Sequence, residues 1–173
     1  MIRGRILAVT ATCVAGVVLA SACGGSSNSG EPIAHGSSRT GAGPATREVC
    51  EPMVRDSVPS TVGLPLTGEP LQSVEGDTFS CRYTFQGGSL RLSVRDLHTV
   101  SQARKYFRAV RSKEGVDDAL TGLAEGGFTK AGGSVVAMKD AMILTVDVTD
   151  LPSTGDDPTN VAIDVASTVL GCW

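Results

Sequence analysis

Histidine and aromatic side chains are scarce in this chain: 173 residues carry two histidines, four phenylalanines, two tyrosines and one tryptophan. A zinc centre draws on histidine and cysteine at short spacing, yet no C-x-x-C pair exists, and beyond residue 47 the histidine content is His98 alone. No metal and no cofactor are implied. The chain also lacks a G-x-S-x-G elbow, an S-x-x-K pair, an H-E-x-x-H helix and a phosphate-cradling G-x-x-x-x-G-K-[ST] loop. A serine-histidine-carboxylate site would have to use His98, and no serine stands in a nucleophile context. Asp150, Asp156 and Asp157 are the nearest thing to a calcium cluster, but their spacing matches no EF-hand, and strand ends and helix caps account for most of the aspartates. With Arg3 and Arg5 set aside, 13 of the 15 basic residues remain against 18 acidic ones, a net charge of −5 that argues against nucleic acid as a partner.

Charge is also missing from residues 6–22, which follow Arg3 and Arg5. A basic segment followed by a short apolar one is the layout of a secretory signal; a membrane-spanning helix needs about 17 residues at the least. Ala20, Ser21 and Ala22 favour the signal, because small side chains let a peptidase draw the backbone into an extended cleft. Leu19-Ala20-Ser21-Ala22-Cys23 resembles the lipobox of bacterial lipoproteins. That likeness implies a diacylglyceryl group on the Cys23 sulfur and Cys23 as the new N-terminus. Two acyl chains, at ~0.8 kcal/mol per buried methylene, hold a protein on a membrane where one barely does. Residues 24–47 contain six glycines and five serines, with Ile33 as the one large aliphatic, and cannot bury enough apolar surface to order themselves. They read as a flexible tether, His35 included, about 27 Å end to end on average and ~80 Å when taut. The expected organisation is a signal over residues 1–22, a lipidated cysteine and tether over 23–47, and one globular domain over 48–173.

Within that domain, Cys50, Met53, Val54, Ser57 and Val58 fall on one stripe of a helix, with Pro52 in its first turn and Pro59 at its end. "GLPLTGEPLQSVEGD" reads as loop with a short extended piece. "TFSCRYTFQGGSLRLSVRD" alternates apolar and polar residues on both sides of Gly87-Gly88, a hairpin pairing Phe85 with Leu90, Tyr83 with Leu92 and Cys81 with Val94. "TVSQARKYFRAVRSK" reads as a second helix capped by Ser101, with Ala103, Phe107 and Val110 inward. Arg104, Arg108 and Arg111 share another face, either a solvated stripe or a docking strip for anionic headgroups or an acidic partner.

After the turn-rich "EGVDDALTGLAEGG" comes a second hairpin turning at Asp140-Ala141, with Ala137 opposite Leu144 and Val135 opposite Val146. Its other face carries Val136, Met138 and Ile143, covered by a second layer of chain or open as a binding patch. Asp157 as N-cap and Pro158 at the first position start a C-terminal helix with Val161, Val165, Thr168 and Cys172 inward. The order helix-hairpin-helix-hairpin-helix makes an α+β fold, an antiparallel sheet with helices packed mainly on one face.

Cys50, Cys81 and Cys172 remain once Cys13 leaves with the signal and Cys23 takes lipid. In an oxidising exterior one disulfide is expected, Cys50 with Cys81 if the first helix lies over the first hairpin, and Cys50 with Cys172 as the alternative. The succession "REVCEPMV", "TFSCRYTF", "GSLRLSV", "KDAMILTVDVTDLP", "VLGCW" resembles small surface lipoproteins and secreted proteins of actinobacteria. It is similar as well to an actinobacterial lipoprotein family in which a cysteine-bearing helix precedes a C-x-[YW] strand. The resemblance implies a cell-envelope protein and carries over no catalytic residue. The expected role is a non-enzymatic, membrane-anchored module on the extracytoplasmic face, binding an envelope protein, a wall polymer or a small apolar ligand. The alternatives are an envelope hydrolase built on His98 and a lipid carrier.

Overall fold

Pro52 and Gly63 bracket the first helix of the computed structural model, which describes residues 48–173, with backbone alone over 115–118. Helix α1, Pro52–Val62, runs through Pro59 instead of stopping there. A proline inside a helix forfeits one N–H and clashes one turn back, but one further turn puts Val62 beside Val54 and Val58 on the buried stripe. Gly63 then takes the left-handed conformation at φ 75° and donates its N–H to the Pro59 carbonyl at 2.9 Å. Met53, expected inward, is 46% exposed, and Cys50 belongs to a separate short turn, Glu48–Cys50.

Seven antiparallel strands form one sheet: β1 Leu71–Glu75, β2 Thr78–Phe85, β3 Gly88–Asp96, β4 Gly115–Leu120, β5 Gly126–Lys130, β6 Val135–Lys139 and β7 Met142–Asp147, in the spatial order β1-β2-β3-β7-β6-β5-β4. Each expected hairpin is therefore the inner end of a larger meander. Strand β1 comes from the glycine- and proline-rich connection, and β4 and β5 come from the turn-rich segment before the second hairpin. Alternation does not reveal β1 because it is an edge strand exposed along its whole length, held by its main-chain ladder to β2. Strand β5 is hidden by its glycines: a Cβ on Gly127 would stand 3.2 Å from Leu123 and 3.3 Å from the Val136 carbonyl.

The second hairpin has the expected register, Ala137 opposite Leu144 and Val135 opposite Val146, with Asp140 in the left-handed region at φ 54°. The first does not. Its pairs are Phe85–Gly88, Tyr83–Leu90, Cys81–Leu92 and Phe79–Val94, so the turn is Gln86-Gly87. A slip of two residues leaves every side chain on the same face, so the apolar alternation is blind to it. Gly87 at φ 91° supplies the turn, while Gly88 is a strand residue kept small by the connection after β7: a Cβ there would stand 2.1 Å from the Asp150 carbonyl oxygen.

Helices α1 and α3, Pro158–Gly171, lie on one face of the sheet. There Val54, Val58, Val62, Val161, Val165 and Val169 meet Cys81, Tyr83, Leu90, Leu92, Leu144 and Val146. Helix α3 starts as expected, with Asp157 accepting from the Thr159 N–H at 2.7 Å. Its buried stripe is wider than expected, adding Ala162, Ala166, Val169 and Leu170, while Thr168 and Cys172 are half-buried and Thr168 bonds back to the Asp164 carbonyl at 2.9 Å. Lys139 closes its far end by donating to the main-chain oxygens of Leu170 and Trp173 at 3.1 and 2.6 Å.

Helix α2, Val100–Glu114, covers the opposite face. It leaves β3 at the middle of the sheet and must reach β4 at the far edge, so it crosses the backs of β7, β6 and β5. Its cap is a T-x-x-Q box and not Ser101: the Thr99 hydroxyl accepts from the Gln102 N–H at 3.2 Å and donates to the Gln102 side chain at 3.1 Å. Ala103, Tyr106, Phe107 and Val110 pack on Phe128, Val136, Met138 and Ile143, with Phe107 edge-on to Phe128 at 5.1 Å between ring centres.

Cys50 and Cys81 form a disulfide with their Cα atoms 5.5 Å apart, and Cys172 stands outside it at the end of α3. Two residues along β2 the buried Tyr83 hydroxyl donates to the Val49 carbonyl, and burial pushes that phenol well above its ordinary range. The disulfide closes a loop with a sequence separation of 31. Replacing Cys50 and Cys81 together by alanine should lower the urea unfolding free energy by about 3–4 kcal/mol. A non-reducing peptide map of Cys172→Ala should still contain the Cys50–Cys81 pair, and its loss would contradict the assignment.

Candidate functional site on the open face of the sheet

Because α2 crosses only β5, β6 and β7, the same face of β1, β2 and β3 has no helix over it among the described residues. Strand alternation sends Cys81, Tyr83, Leu90 and Leu92 to the α1/α3 core, so their neighbours face the open side. The registers lay these neighbours out in rows: Leu71, Arg82, Arg91 and Asp147 abreast, then Ser73, Ser80, Ser93 and Thr145, then Glu75, Thr78, Arg95 and Ile143. Ser80 and Ser93 join their hydroxyls at 2.8 Å. Arg95 marks the boundary with α2, its guanidinium 4.7 Å from the Tyr106 ring centre and one nitrogen donating to the Tyr106 oxygen at 3.3 Å.

The first row is the unusual one. Arg82 and Arg91, both exposed, stand directly opposite each other, an arrangement that like charges make unfavourable. Beside them Asp147 is half-buried. Burial opposes its charged form, but the Thr149 hydroxyl at 2.7 Å, the Thr149 N–H at 3.1 Å, the Ser134 hydroxyl at 3.2 Å and nearby Arg91 outweigh that and hold its carboxyl below the usual range. The connection after β7 then runs beside the start of β3, where the Ser89 N–H donates to the Asp150 carbonyl at 2.8 Å. Arg82, Ser89, Arg91, Asp147 and Asp150 line one cavity of about 70 Å³. Among the described residues no ion pair within 4.0 Å joins these arginines to these aspartates. A broader groove of about 740 Å³ lies between α1 and residues 66–70, where Arg55 is already taken by Glu69 at 3.4 Å and Asp56 at 3.2 Å.

The residues singled out from the sequence do not meet at one place. Val136, Met138 and Ile143 are 2%, 6% and 3% exposed beneath α2, so they are core and form no open patch. Arg104, Arg108 and Arg111 are exposed on α2, and Arg104 lies 3.5 Å from Glu125. Exposed His98 has a left-handed backbone at φ 62°, fixed by its N–H to the Asp96 carboxylate at 2.8 Å. Its ring lies 3.9 Å from Asp77 and 3.7 Å from Asp96, without a hydroxyl nucleophile among its described partners. Cys23, Cys13 and His35 fall outside the described residues. Among those described, no group of three or more histidines, cysteines and acidic residues is arranged to hold a metal ion, and no helix is long and apolar enough to cross a membrane. In the sequence Arg82 and Arg91 read as ordinary solvent-side positions, and only the observed register sets them opposite each other.

Asp147 gives the site a pH signature. Its carboxyl is depressed in the folded state, so its contribution is complete above the unfolded value near pH ~4 and is lost as pH falls through the lower folded value. Between about pH 6 and about pH 3, the urea midpoint of Asp147→Asn should fall less than that of the parent chain. An identical fall in both would show that Asp147 carries no such coupling.

Comparison with protein-family models, with curated proteins and with solved structures finds no match for this chain.

Proposed function

We propose that the protein is a lipid-anchored envelope protein whose globular domain binds and does not catalyse, presenting the open face of β1–β3 to a polar ligand. The observation that carries this reading is that face: a helix covers half of that side of the sheet, while the other half exposes hydroxyls, two opposed guanidiniums and a charged concavity. Buried Val136, Met138 and Ile143 weigh against an apolar ligand on the second hairpin. The lipobox-like run ending at Cys23 and the glycine- and serine-rich residues 24–47 support anchoring on the extracytoplasmic face. The disulfide and Tyr83 fasten Val49 and Cys50 to β2, so a pull on the tether is borne by the sheet.

Metabolic labelling with a palmitate analogue should mark the protein, and Cys23→Ala should abolish the label. A parent chain that takes up no label, or a label that persists on Cys23→Ala, would refute the anchor. Crosslinking on intact cells should capture envelope neighbours that disappear when Arg82 and Arg91 are both changed to glutamate. Unchanged neighbours would remove the open face from the reading.

A further inference from the structure

The cavity lined by Arg82, Ser89, Arg91, Asp147 and Asp150 holds charges of both signs that do not close onto one another. Its charge pattern restricts what fits. A plain anion between the arginines faces Asp147 and Asp150, and a plain cation faces Arg82 and Arg91. An uncharged molecule strips water from four charged groups and offers no charge in return. Size narrows the choice further: about 70 Å³ corresponds to roughly five to seven water-sized positions at ~10–15 Å³ each. That gives room for the carboxylate and ammonium groups of a small amino acid.

We propose that this cavity binds an α-amino acid of glycine or alanine size, its carboxylate spanning Arg82 and Arg91 and its ammonium turned to Asp147 and Asp150. Opposed guanidiniums on neighbouring strands reach the two oxygens of one carboxylate, and the repulsion between them is relieved when it binds. Asp147 is held charged and in place by Thr149 and Ser134, all of whose bonds fall on Oδ1, leaving Oδ2 for the ligand. The Asp150 backbone is fixed by Ser89, and Gly88 permits the close approach. The inference rests on reading the protein as a binding module that uses this face.

The test is a heteronuclear NMR titration of the full acylated chain in detergent with glycine, L-alanine and D-alanine, against acetate and methylammonium alone. At least one amino acid should give saturable shifts at the Ser89, Arg91 and Asp150 amides, with Kd on the order of 1 mM. Acetate and methylammonium should bind about tenfold more weakly or worse. Arg82→Gln and Asp150→Asn, both at exposed positions, should each weaken binding about tenfold while leaving remote resonances in place. No saturation by about 50 mM, or acetate binding as tightly as alanine, overturns the proposal. If that failure comes with intact Arg82- and Arg91-dependent crosslinking on cells, the binding-module reading stands without it; if the crosslinking is lost as well, both fall.

Discussion

The Cys50–Cys81 disulfide and the Tyr83 hydrogen bond to Val49 act on consecutive residues of one short turn, and the rest of the domain is arranged around that attachment. Cys81 and Tyr83 are two apart on β2, so both point into the α1/α3 core. One supplies a covalent bond and the other pairs a buried carbonyl that would otherwise be costly to leave unmet. Together they set where α1 begins, so that Val54, Val58 and Val62 land on the sheet. The C-R-Y triplet is thus a structural fastening on the core side of the strand. Arg82, between the two, points the other way.

The asymmetry of the sheet follows from one connection. Strand β3 pairs with β7, so the chain between them must cross to the outer edge and return strand by strand. Helix α2 is that crossing, and its width covers the backs of β5, β6 and β7. Once Phe128, Val136, Met138 and Ile143 are buried there, no helix among the described residues covers the backs of β1–β3. Their polar composition agrees with this: serine and threonine fill the middle row, and the charged residues sit in the rows on either side.

The open face is held rigidly. Main-chain ladders keep its side chains at fixed spacing, and the buried α1/α3 core stands behind it. Arg91 and Asp147 interact without touching, and Arg82 is drawn to neither aspartate within ion-pair distance. Charges kept apart in this way retain most of their capacity for a partner.

Local patterning alone determined the three helices, the two central hairpins, the Asp157 cap and the register of the second hairpin, because each rests on periodicity or turn chemistry within a few residues. The T-x-x-Q cap of α2 is equally local, Thr99 and Gln102 being three residues apart. Strand β1 was legible only as a short extended piece, and β4 and β5 not at all, since an edge strand and a glycine-rich strand owe their existence to the neighbour they pair with. The two-residue slip of the first hairpin was decided by the Gln86-Gly87 turn and the Asp150 loop against Gly88, contacts that no alternation encodes. The cavity belongs wholly to tertiary structure: Arg82, Arg91, Asp147 and Asp150 are far apart along the chain, and only strand order and register bring them to one place.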